Sequence, residues 1–196
     1  MNIANKLTLF RMGLTVVIVL LLLIPFSSLG IDIPKLFVAE KIVVDTRYVL
    51  AGIIFIIAAL TDFVDGYVAR KYDLVSDFGK MMDAIADKVL VNAVLILLTA
   101  AGFINPIIPI VIISRDTIVN SLKMAAGNKG EVVGASFLGK LKTVCMMTGV
   151  TLVLFYNLPF ELYNVRIADF LLIIAVILSV VSGVQYYNAT KQYIDM

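Results

Sequence analysis

Histidine is missing from all 196 residues of this chain. Its absence removes the commonest general base, the commonest metal ligand and any phosphohistidine intermediate, so carboxylates must carry any acid, base or metal chemistry. Cysteine is nearly missing too: Cys145 stands alone, which excludes an internal disulfide and a cysteine-rich metal site. Charge is scarce, at 15% of residues against 61% hydrophobic, and the mean hydropathy is +1.03. A soluble domain of this length is not built from such a composition, and an integral membrane protein is expected. The net charge of +2 provides no basic surplus, and no nucleic-acid partner is expected. Low-complexity tracts and internal repeats are also wanting, so residues 1–196 are expected to form a single membrane domain. The first long apolar run has no small-residue cleavage site and is expected to stay in the protein as a span.

What is present is a series of apolar runs. About 20 residues are needed to cross the hydrocarbon of a bilayer, and six stretches qualify: 11–29, 48–70, 81–103, 106–127, 136–157 and 168–190. The expected fold class is therefore all-α, with six transmembrane helices. Residues 1–10, too short to span, are expected to form an amino-terminal interfacial helix, and residues 30–45 a connection lying on the membrane surface. Lys and Arg set the orientation. Ten of them (Lys6, Arg11, Arg70, Lys71, Lys80, Lys123, Lys129, Lys140, Lys142, Lys191) fall on one side and four (Lys35, Lys41, Arg47, Arg166) on the other. Both termini, and the turn near residue 75, are thus expected on the cytoplasmic face of the cell membrane.

The segment DFVDGYVARKYDLVSDFGKMMDAIAD, residues 62–87, breaks the apolar pattern at regular intervals. On a helix Asp62, Asp65, Gly66, Ala69 and Arg70 share one stripe, and Gly79, Asp83 and Asp87, repeating every four residues, share another. The turn between them reverses the chain, so four carboxylates can converge. Each charge in a span costs about 2.5–3.5 kcal/mol, and four clustered aspartates repel one another unless cations neutralise them. With only oxygen ligands on offer, Mg²⁺ or Mn²⁺ suits better than Zn²⁺. Gly66 and Ala69 leave room for a ligand against the helix backbone, and Arg70 brings a planar fork suited to phosphate oxygens. Intramembrane aspartates also occur in cation transporters, a reading that leaves the spacing of Gly66, Ala69 and Arg70 unexplained.

The pattern of eight fixed positions from Asp62 to Asp87 resembles the signature of the CDP-alcohol phosphotransferases. The family's six spans, with the motif across the second and third, are similar to the pattern along this whole chain. The resemblance implies a membrane enzyme that transfers a phosphatidyl group from CDP-diacylglycerol to an alcohol and releases CMP. It implies a two-metal site with Asp62, Asp65, Asp83 and Asp87 as ligands, and Asp87 as the catalytic base on the acceptor hydroxyl. Asp65, Gly66, Ala69, Arg70 and Gly79 would hold the CDP-lipid. The amino-terminal NKLTLFR, with Asn5 and Thr8, resembles a segment lying near the nucleotide. A homodimer is implied as well.

The acceptor must be read elsewhere. Arg115 and Asp116 interrupt the fourth apolar run, and GKLKT, residues 139–143, opens the fifth with Lys140 and Lys142. Arg115, Lys140 and Lys142 are expected to bind an acceptor phosphate. Asp116 lies about 100° around the helix from Arg115, which is therefore expected to lack a protein partner and to draw an anion. This combination resembles the branch of the family whose acceptor is sn-glycerol 3-phosphate, although Asp116 and Lys123 stand where Glu and Arg are expected. Branches that use inositol phosphate or make cardiolipin are the alternatives. Tyr186 and Tyr187 are expected in an interfacial aromatic belt. Lys88 fits either a phosphate contact or a counter-charge.

Overall fold

The computed structural model describes residues 3–39, 42–71, 77–131, 133–134 and 136–191. The side chains of residues 3–6, 62–71, 77, 78, 80 and 83 lie outside the described part. Six long helices dominate: α1 (Ile3–Leu23), α2 (Thr46–Lys71), α3 (Asp77–Ala100), α4 (Ile107–Asn128), α5 (Phe137–Leu154) and α6 (Ile167–Thr190). From α2 onward they coincide closely with the apolar runs in the sequence. Helix α1 packs along α2 and α3, α6 packs along α4 and α5, and contacts of α3 with α4 and α5 and of α2 with α5 join the two groups. One core runs through all six helices, with Ile18, Phe55, Leu90, Ile112, Val150 and Leu172 among its buried side chains.

Two expectations need correction. The amino-terminal segment is no separate interfacial helix, because α1 runs without a break from Ile3 to Leu23. No residue in this stretch is a Pro or an N-capping signal strong enough to interrupt it, and Pro25, which lacks an amide donor, instead ends the helix well short of residue 29. Nor is the fold wholly helical. Lys35–Val38 (β1) and Ile42–Asp45 (β2) form an antiparallel hairpin in which Leu36 faces Val44 and Phe37 faces Val43. Its β-branched and aromatic residues favour extended backbone. Phe37 is 71% exposed.

Local sequence accounts for the tight corners. Asp45 caps α2 by accepting the Arg47 amide at 2.9 Å. Burial raises the pKa of its carboxyl, but the hydrogen bonds and charge of Arg47 outweigh this and hold it below the usual range. Helices α3 and α4 end alike: Gly102 and Gly130, at φ +80° and +82°, adopt the left-handed conformation that lets Phe103 and Glu131 donate back to Leu98 and Ala126. Ser136 caps α5 by accepting the Gly139 amide at 3.1 Å. At the hairpin end of the bundle Tyr48, Phe103 and Tyr156 meet edge to face, with centroids 4.8–5.9 Å apart. The Tyr156 hydroxyl accepts the Asp45 amide at 3.1 Å and so ties the hairpin to the end of α5.

The outward faces are apolar. Val16, Leu20, Ile53, Ile57, Ile110 and Ile173 are all exposed, a surface far larger than the apolar patches of soluble monomers. Among the described residues, α5 and α6 are long and apolar enough to cross a bilayer, and shorter apolar helical stretches cover Leu7–Leu23 and Thr46–Thr61.

Candidate active site

The middle of α3, the middle and second half of α4, the first turns of α5 and the end of α6 surround a cavity of about 230 Å³. Asp87 and Lys88 enter it from α3, Arg115, Asp116 and Lys123 from α4, Lys140 and Lys142 from α5, and Tyr186 from α6. Five cations thus share it with two carboxylates. Arg115, Lys140 and Lys142, which lie up to 27 residues apart in the chain, are brought together as the sequence pattern implied, with Asp87 beside them.

Arg115 does not lack protein partners, contrary to expectation. Its Nη1 donates to Asp116 Oδ1 at 3.0 Å, its Nε to the Ser179 carbonyl at 3.0 Å and its Nη2 to Ser182 Oγ at 2.7 Å. The helix angle of about 100° separates Cα–Cβ vectors, but the long guanidinium side chain swings back across it. Space for that swing comes from Gly183, where a Cβ would lie 3.2 Å from the Arg115 Cγ. Asp116 also takes both its oxygens to Lys142 Nζ, at 2.7 and 2.8 Å. Lys142 is only 3% exposed, so an Arg115–Asp116–Lys142 chain of charges clamps α4 to α5 and α6. Lys140 is exposed at the rim.

Tyr186 departs from the expected aromatic belt. It is 5% exposed, and its ring lies 5.4 Å from the Arg115 guanidinium carbon and 4.8 Å from Lys123 Nζ, distances at which a ring face attracts a cation. Its hydroxyl accepts the Ser136 amide at 2.7 Å and donates to the Gly134 carbonyl at 3.0 Å. Tyr187, 45% exposed, remains outward. The sequence did hold a sign of this face: Ser179, Ser182, Gly183 and Tyr186 recur at helical spacing within an otherwise apolar run.

The carboxylate stripes lie on α2 and α3. Asp62, Asp65, Gly66, Ala69 and Arg70 are in the last third of α2, and Gly79, Asp83 and Asp87 in the first half of α3. The side chains of Asp62, Asp65, Ala69, Arg70 and Asp83 lie outside the described residues, as does that of Asn5 on α1. Thr8 is 2% exposed, and Arg11 is fully buried one turn further along α1. Among the described residues no three metal-ligating side chains gather. The donor set nonetheless fits a hard divalent cation: both helices run unbroken through the motif, which keeps each pair of aspartates on one helix face, and only carboxylate oxygens are offered.

An apolar bundle that brings two carboxylates and five cations into one cavity has the chemistry to suit a phosphorylated ligand. The chain belongs to the CDP-alcohol phosphatidyltransferase family, whose model matches residues 1–181. It is 42% identical over 187 residues to a CDP-diacylglycerol–glycerol-3-phosphate 3-phosphatidyltransferase of Bacillus subtilis, covering 95% of this chain and 94% of that one. It is 34% identical over 193 residues to the enzyme of the same name from Rickettsia typhi, covering 98% of both chains. Family membership sets aside the reading of the aspartates as a transport pathway.

Proposed function

We propose that this protein transfers the phosphatidyl group of CDP-diacylglycerol to sn-glycerol 3-phosphate, giving phosphatidylglycerophosphate and CMP. The observation that carries the acceptor is the cavity in which Arg115, Lys140 and Lys142 stand beside Asp87. A phosphate held by these cations leaves the far hydroxyl of a three-carbon acceptor free to extend toward Asp87. That hydroxyl attacks the phosphatidyl phosphorus, the bond to the CMP oxygen breaks, and the hydroxyl proton passes to Asp87. Asp65, Gly66, Ala69, Arg70 and Gly79, with Asn5 and Thr8 from α1, hold the CDP-lipid. Its acyl chains remain against the apolar outer face.

Members of the family generally depend on a divalent metal. Asp62, Asp65, Asp83 and Asp87 are the residues that would hold two Mg²⁺ or Mn²⁺ ions, which when bound neutralise the diphosphate and stabilise the leaving CMP. The chain forms a single six-span domain in the cell membrane, with both termini and the active site cytoplasmic. Alternation along the bundle favours this: the first turns of α5 and the end of α6 share one cavity, so these two helices run in opposite directions. A homodimer completes the proposal.

Purified protein in phosphatidylglycerol-free vesicles containing CDP-diacylglycerol should release CMP only when both sn-glycerol 3-phosphate and a divalent cation are added. A faster reaction with inositol phosphate, or with phosphatidylglycerol as the acceptor, would overturn the acceptor assignment.

A further inference from the structure

Two carboxamides line the acceptor cavity without a task in the scheme above. Asn92 lies on α3 one turn beyond Lys88, and Asn120 on α4 one turn beyond Asp116. Both are partly buried. Three of the charged groups around them are engaged: Asp116 holds Lys142 and Arg115, and Arg115 is held by α6 as well. The side chains of Asn92 and Asn120, in contrast, form no hydrogen bond within the described residues. Both carboxamides line the cavity beside the buried Val91 and Val119, where they can pair with a polar group that enters it. Polar side chains kept there without a protein partner point to a ligand.

The chemistry of that ligand follows from the groups. A carboxamide offers both donors and an acceptor, so it can pair with an alcohol hydroxyl whichever way the hydroxyl points, whereas the cations around the cavity only donate. The phosphate is already served by those cations, and the reacting hydroxyl by Asp87. Asn92 lies about 7.5 Å further along α3 than Asp87, and both line the same cavity. We propose that Asn92 and Asn120 bind the acceptor's second hydroxyl, so that the site selects a phosphorylated vicinal diol rather than any phosphorylated alcohol. This rests on the proposed reaction and adds to it the basis of acceptor choice.

The test compares sn-glycerol 3-phosphate with 3-hydroxypropyl phosphate, which keeps the phosphate and the reacting primary hydroxyl but lacks the middle one. A site that hydrogen-bonds a substrate hydroxyl rejects the analogue without it, and the parent should favour glycerol 3-phosphate by at least about tenfold in kcat/KM. In Asn92→Leu, Asn120→Leu or both, that preference should shrink to about threefold or less, because the variant loses the diol while its handling of the deoxy acceptor falls much less. A merely structural role lowers both acceptors together and leaves their ratio alone. An unchanged ratio in both variants, including an equal loss of both acceptors, overturns the inference, as does a parent that fails to discriminate. A parent that ignores glycerol 3-phosphate and turns over another acceptor instead shows that the proposed reaction has failed, and the inference with it.

Discussion

At the scale of single residues the carboxylates and the cations call for different experiments. Asp62→Ala, Asp65→Ala and Asp83→Ala should each abolish CMP release at saturating Mg²⁺, since each takes a ligand from a site whose charges need neutralising. Asp87→Asn keeps the shape of the side chain but cannot accept a proton. It should still bind the CDP-lipid while turning over at least about a hundredfold more slowly; loss of nucleotide binding would show that Asp87 serves mainly as a ligand. Lys140 and Arg115 separate binding from scaffolding. Lys140 is exposed and its side chain forms no hydrogen bond within the described residues, so Lys140→Ala should raise the KM for glycerol 3-phosphate by about three- to tenfold with no change in thermal stability. Arg115→Ala should raise it at least tenfold, about 1.4 kcal/mol, and lower the melting temperature too, because three hydrogen bonds to Asp116, Ser179 and Ser182 are lost. A change of KM for CDP-diacylglycerol in place of the acceptor would move both residues out of the acceptor pocket. Arg115, Lys140 and Lys142 could be singled out in the sequence because isolated charges in apolar runs have few other uses, and they line one cavity. The pairing of Arg115 could not be read there, because the decisive partners, Ser179 and Ser182, come from a helix more than 60 residues away.

At the scale of elements, the clamp of α4 on α5 and α6 is where stability and function can be pulled apart. Breaking a buried ion pair by removing one partner costs about 3–5 kcal/mol when the other is left uncompensated. Asp116 would keep Arg115, so Lys142→Met should cost less, about 1–3 kcal/mol. Asp116→Leu alone leaves Arg115 and Lys142 both without their carboxylate, and adding Lys142→Met removes one of these two uncompensated cations, so the double variant should recover part of the melting temperature that Asp116→Leu loses in detergent. It should not restore activity with glycerol 3-phosphate. Recovery of both together would mean that the pair serves the fold alone. The clamp also marks what could not be read along the chain. Helices α2 to α6 were legible because runs of about 20 apolar residues have few other forms. The hairpin at Lys35–Asp45 was not, since two four-residue strands are defined by pairing with each other and not by length or hydropathy. Tyr186 was misassigned for a related reason: two adjacent tyrosines near a helix end look alike in sequence, and only the packing of α6 turns one inward over Arg115 and leaves the other outside.

At the scale of the whole molecule, the distribution of charge predicts an orientation that labelling can test. The ten cations on one side of the sequence pattern include Lys123, Lys140 and Lys142, which the structure gathers around one cavity. The aromatic cluster of Tyr48, Phe103 and Tyr156 lies at the other end, since Ala100, the last residue of α3, is about 20 Å along the helix from Asp87. Positive charge favours the cytoplasmic face, where the water-soluble acceptor is also to be found, so the cavity end should face the cytoplasm and the hairpin end the exterior. A cysteine introduced at Asn164, which lies exposed between the short 3-10 turn Phe160–Tyr163 and α6 at the hairpin end, should react in intact cells with a thiol reagent that does not cross the membrane. A cysteine at Ser76, between α2 and α3, should react only after the membrane is permeabilised. The background from Cys145 is removed first by Cys145→Ala, a change that should be tolerated because this side chain is half-buried on α5 outside the cavity. Labelling of Ser76→Cys from outside would invert the molecule and separate the acceptor cavity from its substrate; labelling of both positions from outside would break the alternation of the six helices and with it the proposed number of spans.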